Sequence, residues 1–453
     1  MEKQTSKINT KVLPGFMELL PVDQILFDRM KDIIEKTYQS FGFISLDTPL
    51  IERSEVLLAK AGGETEKQIY RFLKGDNDLS LRFDLTVPLA RYVSDHFNDL
   101  SFPFRRCHIG KVFRGERPQK GRYREFYQCD IDIIGKGKLN LVNDAEILAV
   151  IYQVFKNLEL PSFIIRINNR KLINGLMESL DLLDKSVDVM RIIDKVEKVS
   201  EQDFKDMLVE IGLSVEAINI VIKFISIKGG VSFILKELDA LEVKNETFSV
   251  GLDELKTVLR YVKSFGLPEE YYGVDLSIAR GLDYYTGTVY ETSLLNYGSV
   301  GSICSGGRYD NLADTYTSQK LPGVGISIGL TRLFSQLKDL KIINSDKSTT
   351  SMVVILPFNE KMFSRAIEIS RILRLSGISN ETYFEDDKFK NKIAYVSKIG
   401  AEFSIIIGED ELNDELVTLK NMKSGDQSKT NINDLVKKIT LKKQGGLNEK
   451  SHS

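Results

Sequence analysis

Apolar residues near the start of the chain recur at the spacing of a helix with one buried face. The stripe is formed by Leu26, Met30, Ile33, Ile34 and Phe41. Asp23 is a candidate N-cap and Gly42 a candidate stop signal, so the pattern predicts a helix over 23–41. The apolar stretch that follows, 43–49, ends in proline and predicts a short strand.

A strand–loop–strand pattern is predicted for residues 104–135. In the second strand, side chains two residues apart share one face of the sheet. This face carries Arg124, Phe126, Gln128, Asp130 and Asp132. The stretch also concentrates basic residues around the single carboxylate of Glu116, namely Arg105, Arg106, Lys111, Arg114, Arg117, Lys120, Arg122 and Arg124. Such a cluster indicates a pocket for a polyanion and a polar or cationic small molecule, or else an exposed hairpin with a solvated basic tip.

The segment before this stretch predicts a hairpin and then a helix. Strands are predicted at 69–73 and 79–83, around a Gly-containing turn. Thr86 is a candidate N-cap for the next helix, and Pro88 lies in its first turn. Asp84 comes just before that cap. Either Asp84 and Thr86 only serve the cap, or their carboxylate and hydroxyl recognise an ammonium group.

The middle of the chain is predominantly helical. Residues 144–158 predict an amphipathic helix and residues 162–167 a strand. Residues 169–241 contain short helical patterns with many charges and few aromatic residues, which indicates a helical insertion. Another helix is predicted over 252–265.

A second dense segment, 274–291, predicts a strand, a bend and a further strand from residue 288. The bend carries Arg280, Asp283, Tyr284 and Tyr285, whose side chains are expected to reach into a cleft. Further on, the Gly pair at 306–307 lacks the lysine and spacing of a phosphate-binding loop, and it predicts close backbone approach in a sheet. A strand of small residues then leads into a helix that carries Arg332, either as a buried contact or as an ordinary surface arginine.

A polar linker, 342–351, precedes alternating strand and helix patterns. These predict a small α/β domain over 352–443, without the glycine fingerprint of a dinucleotide site. The polar end of the chain, 444–453, predicts a disordered tail.

Composition restricts the class of protein. The 453 residues are 42% apolar and 28% charged, with a formal net charge of −2. No global electric field would therefore attract nucleic acid, and any such binding depends on local basic patches. Three sparse cysteines favour a reducing compartment. No apolar run reaches about 18 residues and no signal peptide is evident, so we expect a cytoplasmic protein without membrane spans.

Together these segments resemble the histidyl-tRNA synthetases, a family of class II aminoacyl-tRNA synthetases. The helix and strand that end at Pro49 resemble motif 1, a dimer interface. The sequence FRGERPQKGRYREFYQ resembles motif 2, and GVGISIGLTRL resembles motif 3. RGLDYYTGTVYE and SGGRYDNL resemble the two histidine-pocket signatures of the family. The resemblance covers nearly the whole chain, roughly residues 14–443.

The resemblance implies an α+β catalytic domain built on a six-stranded antiparallel sheet, the class II synthetase fold. Its two parts are expected at 1–170 and 251–341, separated by a helical insertion at 171–250. Residues 352–443 are expected to form an α/β anticodon-binding domain. A homodimer is implied, with L-histidine, ATP and tRNA(His) as partners and Mg²⁺ as cofactor. In the implied reaction, histidine and ATP form histidyl-adenylate and pyrophosphate, and histidine then passes to the 3′ end of tRNA(His).

The resemblance also implies roles for the basic and aromatic residues of the ATP site. Arg114 is expected to bridge the α-phosphate and the histidine carboxylate. Arg280 would approach the same phosphate from the opposite side and also contact histidine. Arg122 and Arg332 would hold the β- and γ-phosphates through planar guanidinium groups. The adenine ring would lie against Phe126 and donate to Glu116.

For histidine, the resemblance implies an ammonium side and an imidazole side. Asp84, Thr86 and Gln128 would bind the ammonium group. The imidazole nitrogens would be recognised by Asp132, Tyr285 and Tyr309, with Tyr284 beside them. Gln119 in the motif 2 loop would face the tRNA acceptor stem. Asp84 and Asp132 are shorter than the glutamates of part of the family, and Leu85 replaces a glycine that is common in its bacterial members.

Two other functions remain as alternatives. One is the non-catalytic relative of this family, the regulatory subunit of ATP phosphoribosyltransferase, which lacks parts of the catalytic signatures and the anticodon domain. The other is a purely RNA-binding or interaction module. In the C-terminal domain, the basic segment 420–443 is either a local patch for an anticodon stem or includes a solvated helix over 434–443.

Overall fold

A computed structural model describes residues 8–59, 64–117, 121–278, 284–345, 347–409, 411 and 416–449. The chain forms two compact units. The first comprises Met1–Met17 and Met30–Ile342, and the second comprises Glu18–Arg29 and Ile343–Ser453. Within the described residues, no helix is both long and apolar enough to cross a membrane.

The first unit contains two sheets. Its strands are β1 (Ile44–Ser45), β2 (Ile51–Arg53), β3 (Arg71–Lys74), β4 (Asn77–Leu81), β5 (Phe104–Phe113), β6 (Glu125–Ile134), β7 (Phe163–Asn169), β8 (Tyr272–Val274), β9 (Thr288–Leu294), β10 (Ser302–Tyr309) and β11 (Gly323–Gly329). The large sheet has the order β1-β5-β6-β11-β10-β9-β7-β8, and the small sheet has the order β2-β4-β3. The predicted hairpin is thus confirmed as β3 and β4.

The six strands from β5 to β7 in the large sheet pair antiparallel, as the class II fold requires. The two short outer strands, β1 and β8, pair parallel with β5 and β7 and extend the sheet to eight strands. The sequence pattern did not predict that these two short strands would lie at the edges of the sheet. The predicted six-stranded antiparallel sheet is therefore its central part.

Helices surround this sheet and form the insertion. They are α1 (Pro21–Ser40), α2 (Ser54–Leu58), α3 (Glu64–Gln68), α4 (Thr86–Asp95), α5 (Val142–Asn157), α6 (Arg170–Ser179), α7 (Ser186–Ile193), α8 (Glu201–Glu210), α9 (Val215–Ile225), α10 (Val231–Ala240), α11 (Glu246–Ser264) and α12 (Leu330–Asp339). Helix α11 begins six residues before the predicted helix because Asn245 caps it, accepting a 2.8 Å bond from the Phe248 N–H. The predicted domain boundary at residue 250 falls inside α11.

One face of the large sheet is apolar and buried. Cys107, Ile131 and Ile326 lie opposite one another on β5, β6 and β11, and all are nearly inaccessible to solvent. Helix α5 covers this sheet and buries Ile147, Leu148 and other apolar side chains. The polar residues that alternate with this row therefore lie on the opposite face of the sheet.

The segment after β8 differs from the sequence prediction. The pattern of alternation predicts a strand beyond Val274, but β8 ends there. Asp275 Oδ1 accepts bonds from the backbone N–H of Ser277 at 3.0 Å and from its hydroxyl at 2.6 Å. This short-range capping of the backbone by aspartate competes with strand pairing and forms a turn.

The second unit contains a five-stranded sheet and helices. Its further elements are β12 (Val353–Pro357), α13 (Phe363–Leu375), β13 (Asn380–Thr382), α14 (Phe389–Ile399), β14 (Phe403–Ile407), β15 (Val417–Asn421), β16 (Gln427–Thr430) and α15 (Ile432–Glu449). Helix α15 extends to Glu449, into the segment for which the sequence predicts a disordered tail. It is also not a fully solvated helix, since Leu435 and Ile439 are buried in the core of this unit.

Candidate active site

A cavity of about 430 Å³ lies over the polar face of the large sheet. The predicted site residues that the structure describes all line it, and they come from distant parts of the chain. They are Asp84, Thr86, Arg114, Glu116, Arg122, Phe126, Gln128, Asp132, Tyr284, Tyr285, Tyr309 and Arg332. Arg280 and Gln119 lie outside the described residues. The structure thus brings the motif 2, motif 3 and histidine-pocket segments together at one place.

Glycines on β11 keep this face of the sheet open. A Cβ atom at Gly325 would lie 2.2 Å from Asp132 Oδ1, and one at Gly323 would lie 2.3 Å from the Tyr309 ring. The predicted close approach at the 306–307 pair is confirmed, because a Cβ at Gly306 would lie 2.1 Å from the Gly325 carbonyl oxygen. The absence of side chains at Gly323 and Gly325 makes room for Tyr309 and Asp132, and Gly306 permits close approach of the neighbouring backbone.

Asp84 both caps a helix and lines the cavity. Its Oδ1 accepts bonds from the Val87 N–H at 2.9 Å and from the Thr86 N–H at 3.2 Å. Thr86 is therefore the first helical residue and does not cap α4, which corrects the sequence prediction. The acceptor at position 84 reaches the free N–H groups of the first turn, as a capping oxygen must. Thr86 instead lines the cavity.

The Asp84 carboxyl is buried and close to a cation. Burial raises its pKa, while the N–H groups of Val87 and Thr86 and the Arg114 guanidinium oppose that rise. A carboxylate in this setting is suited to bind an ammonium group, because that ligand would supply the positive charge that favours ionisation. Asp84 can therefore cap the helix and also bind an ammonium group in the cavity, so the two alternatives are compatible.

Arg114 is held between two aromatic rings. Its guanidinium carbon lies 4.4 Å from the centre of the Phe83 ring and 5.1 Å from that of Phe126. Its Nε donates to the Phe83 carbonyl oxygen at 3.3 Å. Cation–π contacts and this bond fix the plane of the guanidinium, so its remaining donors have a defined direction. Arg114 and Phe126 thus form the middle of the cavity.

The outer part of the cavity carries two further arginines. Arg122 Nη1 lies 3.3 Å from Glu116 Oε2 in a half-exposed ion pair. Arg332 Nη2 donates to the Val300 carbonyl oxygen at 2.8 Å. Arg332 is partly buried and lines the cavity, so it is not the ordinary surface arginine of the alternative interpretation. Together with Arg114 in the middle of the cavity, these side chains bring three guanidinium groups of the described residues to the cavity wall.

The inner part of the cavity is acidic and aromatic. The Tyr309 hydroxyl donates a 2.7 Å hydrogen bond to Asp132 Oδ1. Tyr284 packs edge-on against Tyr285 and Tyr309, at ring separations of 5.0 and 5.9 Å. Gln128 Nε2 donates to Ser327 Oγ at 2.7 Å. The inner walls therefore combine flat rings with hydrogen-bonding groups.

Burial raises the pKa values of both carboxyl groups on the inner floor of the cavity, Asp130 and Asp132. It raises the pKa of Asp132 to about 6 and that of Asp130 to about 7, while the Arg106 guanidinium opposes both rises. Removal from water penalises the charged form of an acid, and a second nearby carboxylate adds to this effect. Burial therefore disfavours full ionisation of both carboxyl groups near neutral pH.

Sequence reasoning did not assign three residues that complete this region. Asp130 lines the cavity, and Arg106 forms an ion pair with Asp132 from the neighbouring strand. Arg170 Nη1 donates to the Tyr285 carbonyl oxygen at 3.0 Å, and its guanidinium lies 5.7 Å from that ring. The alternation on β6 placed Asp130 on the correct face, but only strand pairing shows which residues of β5 lie opposite it.

The described residues contain no group of three or more metal-binding side chains that could hold an ion by themselves. Glu116 and Glu291 are carboxylates on the cavity wall. Magnesium in nucleotide sites is commonly held by one or two carboxylates together with substrate phosphates and water. The donor set is therefore compatible with a magnesium ion that enters with a nucleotide.

Comparison with known proteins agrees with this geometry. The family model described as Histidyl-tRNA synthetase matches residues 15–333, and the model described as Anticodon binding domain matches residues 352–442. A histidine–tRNA ligase of Clostridium tetani is 57% identical over 433 residues, covering 95% of this chain and 98% of the relative. One from Finegoldia magna is 47% identical over 95% of this chain and its own full length.

The solved structures agree as well. The crystal structure of histidyl-tRNA synthetase from Nostoc sp. PCC 7120 matches with a TM-score of 0.88 and 39% identity, covering 96% of this chain and 100% of that one. A structure named as an ATP phosphoribosyltransferase regulatory subunit/histidyl-tRNA synthetase from Bacillus halodurans matches with a TM-score of 0.74 at 22% identity, which shows a shared fold alone. With its class II fold and its C-terminal anticodon-binding domain, this chain belongs to the histidyl-tRNA synthetase family.

Proposed function

We propose that this chain is a histidine–tRNA ligase, which activates L-histidine with ATP and esterifies it to tRNA(His). The observation that carries this proposal is the division of one cavity into two chemically different halves. The outer half presents guanidinium groups to a polyphosphate, and the inner half presents carboxylates and tyrosine hydroxyls to a polar, cationic amino acid. Arg114 lies at the junction, where a carboxylate of the amino acid would meet a phosphate.

In the first step, a histidine carboxylate oxygen attacks the α-phosphorus of ATP. The bond from that phosphorus to the bridging oxygen breaks, and pyrophosphate leaves. Arg114 stabilises the charge at the α-phosphate, because its guanidinium is already oriented by Phe83 and Phe126. By the family resemblance, Arg280 is expected to assist at the same phosphate. Arg122 and Arg332 hold the departing phosphates, and Mg²⁺, when bound, neutralises part of their charge.

The nucleotide base and the amino acid are bound by different walls. Phe126 stacks on adenine, and Glu116 accepts from its exocyclic amine. Asp84, Thr86 and Gln128 bind the histidine ammonium group. Asp132, Tyr285 and Tyr309 hydrogen-bond to the ring nitrogens, and Tyr284 lies beside the ring. An apolar ligand of the same shape would leave these buried polar groups without hydrogen-bond partners. The site therefore rejects such a ligand strongly.

In the second step, the terminal ribose hydroxyl of tRNA(His) attacks the carbonyl carbon of the adenylate. The carbon–oxygen bond to the phosphate breaks, AMP leaves, and the hydroxyl proton passes to the phosphate or to water. Gln119 contacts the acceptor stem, and the second unit binds the anticodon stem. We infer a cytoplasmic homodimer in which the motif 1 segment contributes to the subunit interface.

Histidine-dependent exchange of pyrophosphate into ATP tests the first step directly. We expect exchange with L-histidine and none with other amino acids, and charging of tRNA(His) in a second assay. Arg280→Ala should abolish exchange, whereas Arg260→Ala on the exposed surface of α11 is the matched control and should retain it. No exchange by folded wild-type protein would refute the proposal.

The ATP phosphoribosyltransferase regulatory subunit is the second candidate function. The Bacillus halodurans structure shares the fold, and the fold alone does not distinguish this function from the ligase. The sequence retains Arg114, Arg122, Arg280 and Arg332, of which the three described ones line the cavity, and the chain has an anticodon-binding domain; both features favour the ligase instead. Stimulation of a phosphoribosyltransferase by this protein, without exchange activity, would favour the regulatory function.

A further inference from the structure

The floor of the inner cavity contains a fully buried arginine on the neighbouring strand. Arg106 lies directly opposite Asp132 in the β5–β6 pairing, and Asp132 in turn lies opposite Gly325 of β11. The Arg106 side chain is completely inaccessible to solvent. Its Nη2 forms an ion pair with Asp132 Oδ2 at 2.7 Å and donates to the Leu85 carbonyl oxygen at 3.1 Å.

Burial of the Arg106 guanidinium is not explained by stabilisation of the fold. Among the described residues, its Nε and Nη1 atoms have no hydrogen-bond partner. Burying a guanidinium with unpaired donors is costly, and apolar side chains usually fill such a position with equal or better stability. The position is thus better explained by the carboxylate that the arginine contacts than by packing.

The two oxygens of Asp132 are approached from two sides. Tyr309 donates a hydrogen bond to Oδ1, and the Arg106 guanidinium lies 2.7 Å from Oδ2 in an ion pair, so the carboxylate is held between β5 and β10. Among the described residues Oδ2 accepts no hydrogen bond, which leaves it available to a donor of the substrate. Gly325 leaves the space above the strand into which the carboxylate fits. The short side chain of aspartate has few rotatable bonds. The contacts with Tyr309 and Arg106 therefore largely determine which way the carboxylate oxygens face in the cavity.

Arg106 is also a buried cation beneath the acidic floor, and it lowers the pKa values of both Asp130 and Asp132. The groups that face Asp132 are Asp130 on its own strand, Arg106 on β5, Tyr309 on β10, Asp84 before α4, and Tyr284 and Tyr285 from the preceding loop. The carboxylates among them disfavour ionisation of Asp132, and the tyrosines are neutral. Loss of Arg106 would therefore remove the principal interaction that keeps Asp132 ionised.

We propose that Arg106 is a positioning residue for amino-acid selection, which holds the Asp132 carboxylate ionised and correctly oriented to accept a hydrogen bond from the histidine ring. Arg106 acts through Asp132 and does not touch the substrate. This inference rests on the proposed function, in that it assigns a further residue to the histidine pocket. It goes beyond that function because it makes ring recognition depend on a side chain beneath the pocket.

Two substitutions separate the charge of Arg106 from its geometry. Arg106→Gln removes the charge but retains an amide that can donate to the Leu85 carbonyl oxygen. Arg106→Lys keeps a charge, but its single ammonium group does not reproduce the position of Nη2 between the Asp132 carboxylate and the Leu85 carbonyl oxygen. Arg105→Gln is the matched control, since Arg105 is the preceding residue on the opposite face, paired with Glu146 at 2.8 Å.

The measurements are the Kd for L-histidine by calorimetry across pH 5–8, and the KM values for histidine and ATP in pyrophosphate exchange. We expect Arg106→Gln to weaken histidine binding about tenfold or more at pH 7, with the KM for ATP changed less than about twofold. The low-pH loss of histidine binding should move to higher pH in this variant. Because histidine itself titrates equally in every sample, the difference from wild type reports on the protein.

The lysine variant gives an independent result. We expect its histidine affinity to fall, while the low-pH loss stays near the wild-type position because a cation remains. Arg105→Gln should leave both quantities unchanged. The proposal is overturned if Arg106→Gln binds histidine normally, or if its KM values for ATP and histidine rise equally with no movement along the pH axis. If Arg106→Gln does not fold, a low-pH loss that moves upward in Arg106→Lys overturns it.

Failure of this inference differs from failure of the proposed function. Histidine binding that depends on Arg106, in a protein without exchange activity, would support the positioning role and refute the ligase reaction. Normal pyrophosphate exchange by the wild-type protein, together with no effect of Arg106→Gln on histidine binding, would support the ligase reaction and refute the positioning role.

Discussion

Gly325 and Asp132 lie opposite each other on adjacent strands, and the carboxylate occupies the space that any side chain at position 325 would take. A Cβ atom there would lie 2.2 Å from Asp132 Oδ1 and 2.4 Å from the Ile131 carbonyl oxygen. Such distances cannot be accommodated without movement of the strand or of the carboxylate. The shape of the inner pocket thus depends on the absence of a side chain on β11.

Gly325→Ala should therefore damage both the sheet and the pocket. We expect a lower melting temperature, by several degrees, and a histidine Kd raised about tenfold or more, because overpacking costs about 1–3 kcal/mol. Calorimetry and thermal unfolding measure the two effects. Gly329→Ala on the same strand is the control for stability, since its Cβ would lie no closer than 3.9 Å to another side chain. Equal melting temperatures for the two variants would contradict this account.

Tyr309→Phe removes the hydroxyl that donates to Asp132. A hydrogen bond to a charged group contributes about 1.5–3 kcal/mol, so we expect the KM for histidine in pyrophosphate exchange to rise about 10- to 100-fold. The KM for ATP should change less than about twofold. Tyr316→Phe is the matched control, because the Tyr316 hydroxyl donates to the Val56 carbonyl oxygen at 2.8 Å and does not line the cavity. Similar effects of both variants on the KM for histidine would argue against a role of Tyr309 in the pocket.

The capping and binding functions of Asp84 can be separated by two substitutions. Asp84→Asn retains an oxygen that can accept from the Val87 N–H but loses the negative charge. We expect this variant to unfold near the wild-type temperature and to bind histidine at least about tenfold more weakly. Asp84→Ala should lose about 1 kcal/mol of stability as well. If Asp84→Asn bound histidine as tightly as wild type, Asp84 would be a helix cap only.

Asp130 makes stability depend on pH in a defined direction. Burial raises its pKa to about 7, so between about pH 4 and 7 the folded protein retains a proton that the unfolded chain has released. The free energy of unfolding therefore falls as pH rises through this window. Asp130→Asn removes that loss, and we expect it to be more stable than wild type by about 1–3 kcal/mol at pH 8 but by much less at pH 4.5.

Thermal or denaturant unfolding of the ligand-free proteins at the two pH values measures this difference. Asp253→Asn, at an exposed position of α11, is the control and should differ from wild type by the same small amount at both. A stability difference for Asp130→Asn that stays constant or shrinks as pH rises would show that Asp130 ionises normally in the folded protein.

Much of the architecture follows from local sequence patterns. Alternation along β6 determines that Phe126, Gln128 and Asp132 share one face, and the structure has them on the cavity wall. The order of helices and strands, the insertion and the C-terminal α/β unit are likewise encoded in apolar periodicity and in turn residues. These features depend on residues that are near one another in the chain, so a single sequence is sufficient to predict them.

The residue that caps a helix and the side chains that a helix buries were harder to predict than the order of the elements. Both depend on local contacts that compete with contacts from distant parts of the chain. Thr86 and Asp84 are both suitable caps, and only the path of the chain shows that Asp84 reaches the free N–H groups. Helix α15 has a polar composition, yet Leu435 and Ile439 are buried against the sheet of the second unit. Residue type sets the range of possible contacts, and the tertiary structure selects among them.

The sequence by itself determined which side chains can carry phosphate and imidazole chemistry, and which of them alternate on one strand. Only the tertiary structure decided that Arg106, Asp132 and Gly325 form a row across three strands. The physical reason is that side-chain alternation is a property of one strand, whereas register arises from pairing between distant segments. A shift of one residue in that pairing would turn every partner to the opposite face of the sheet.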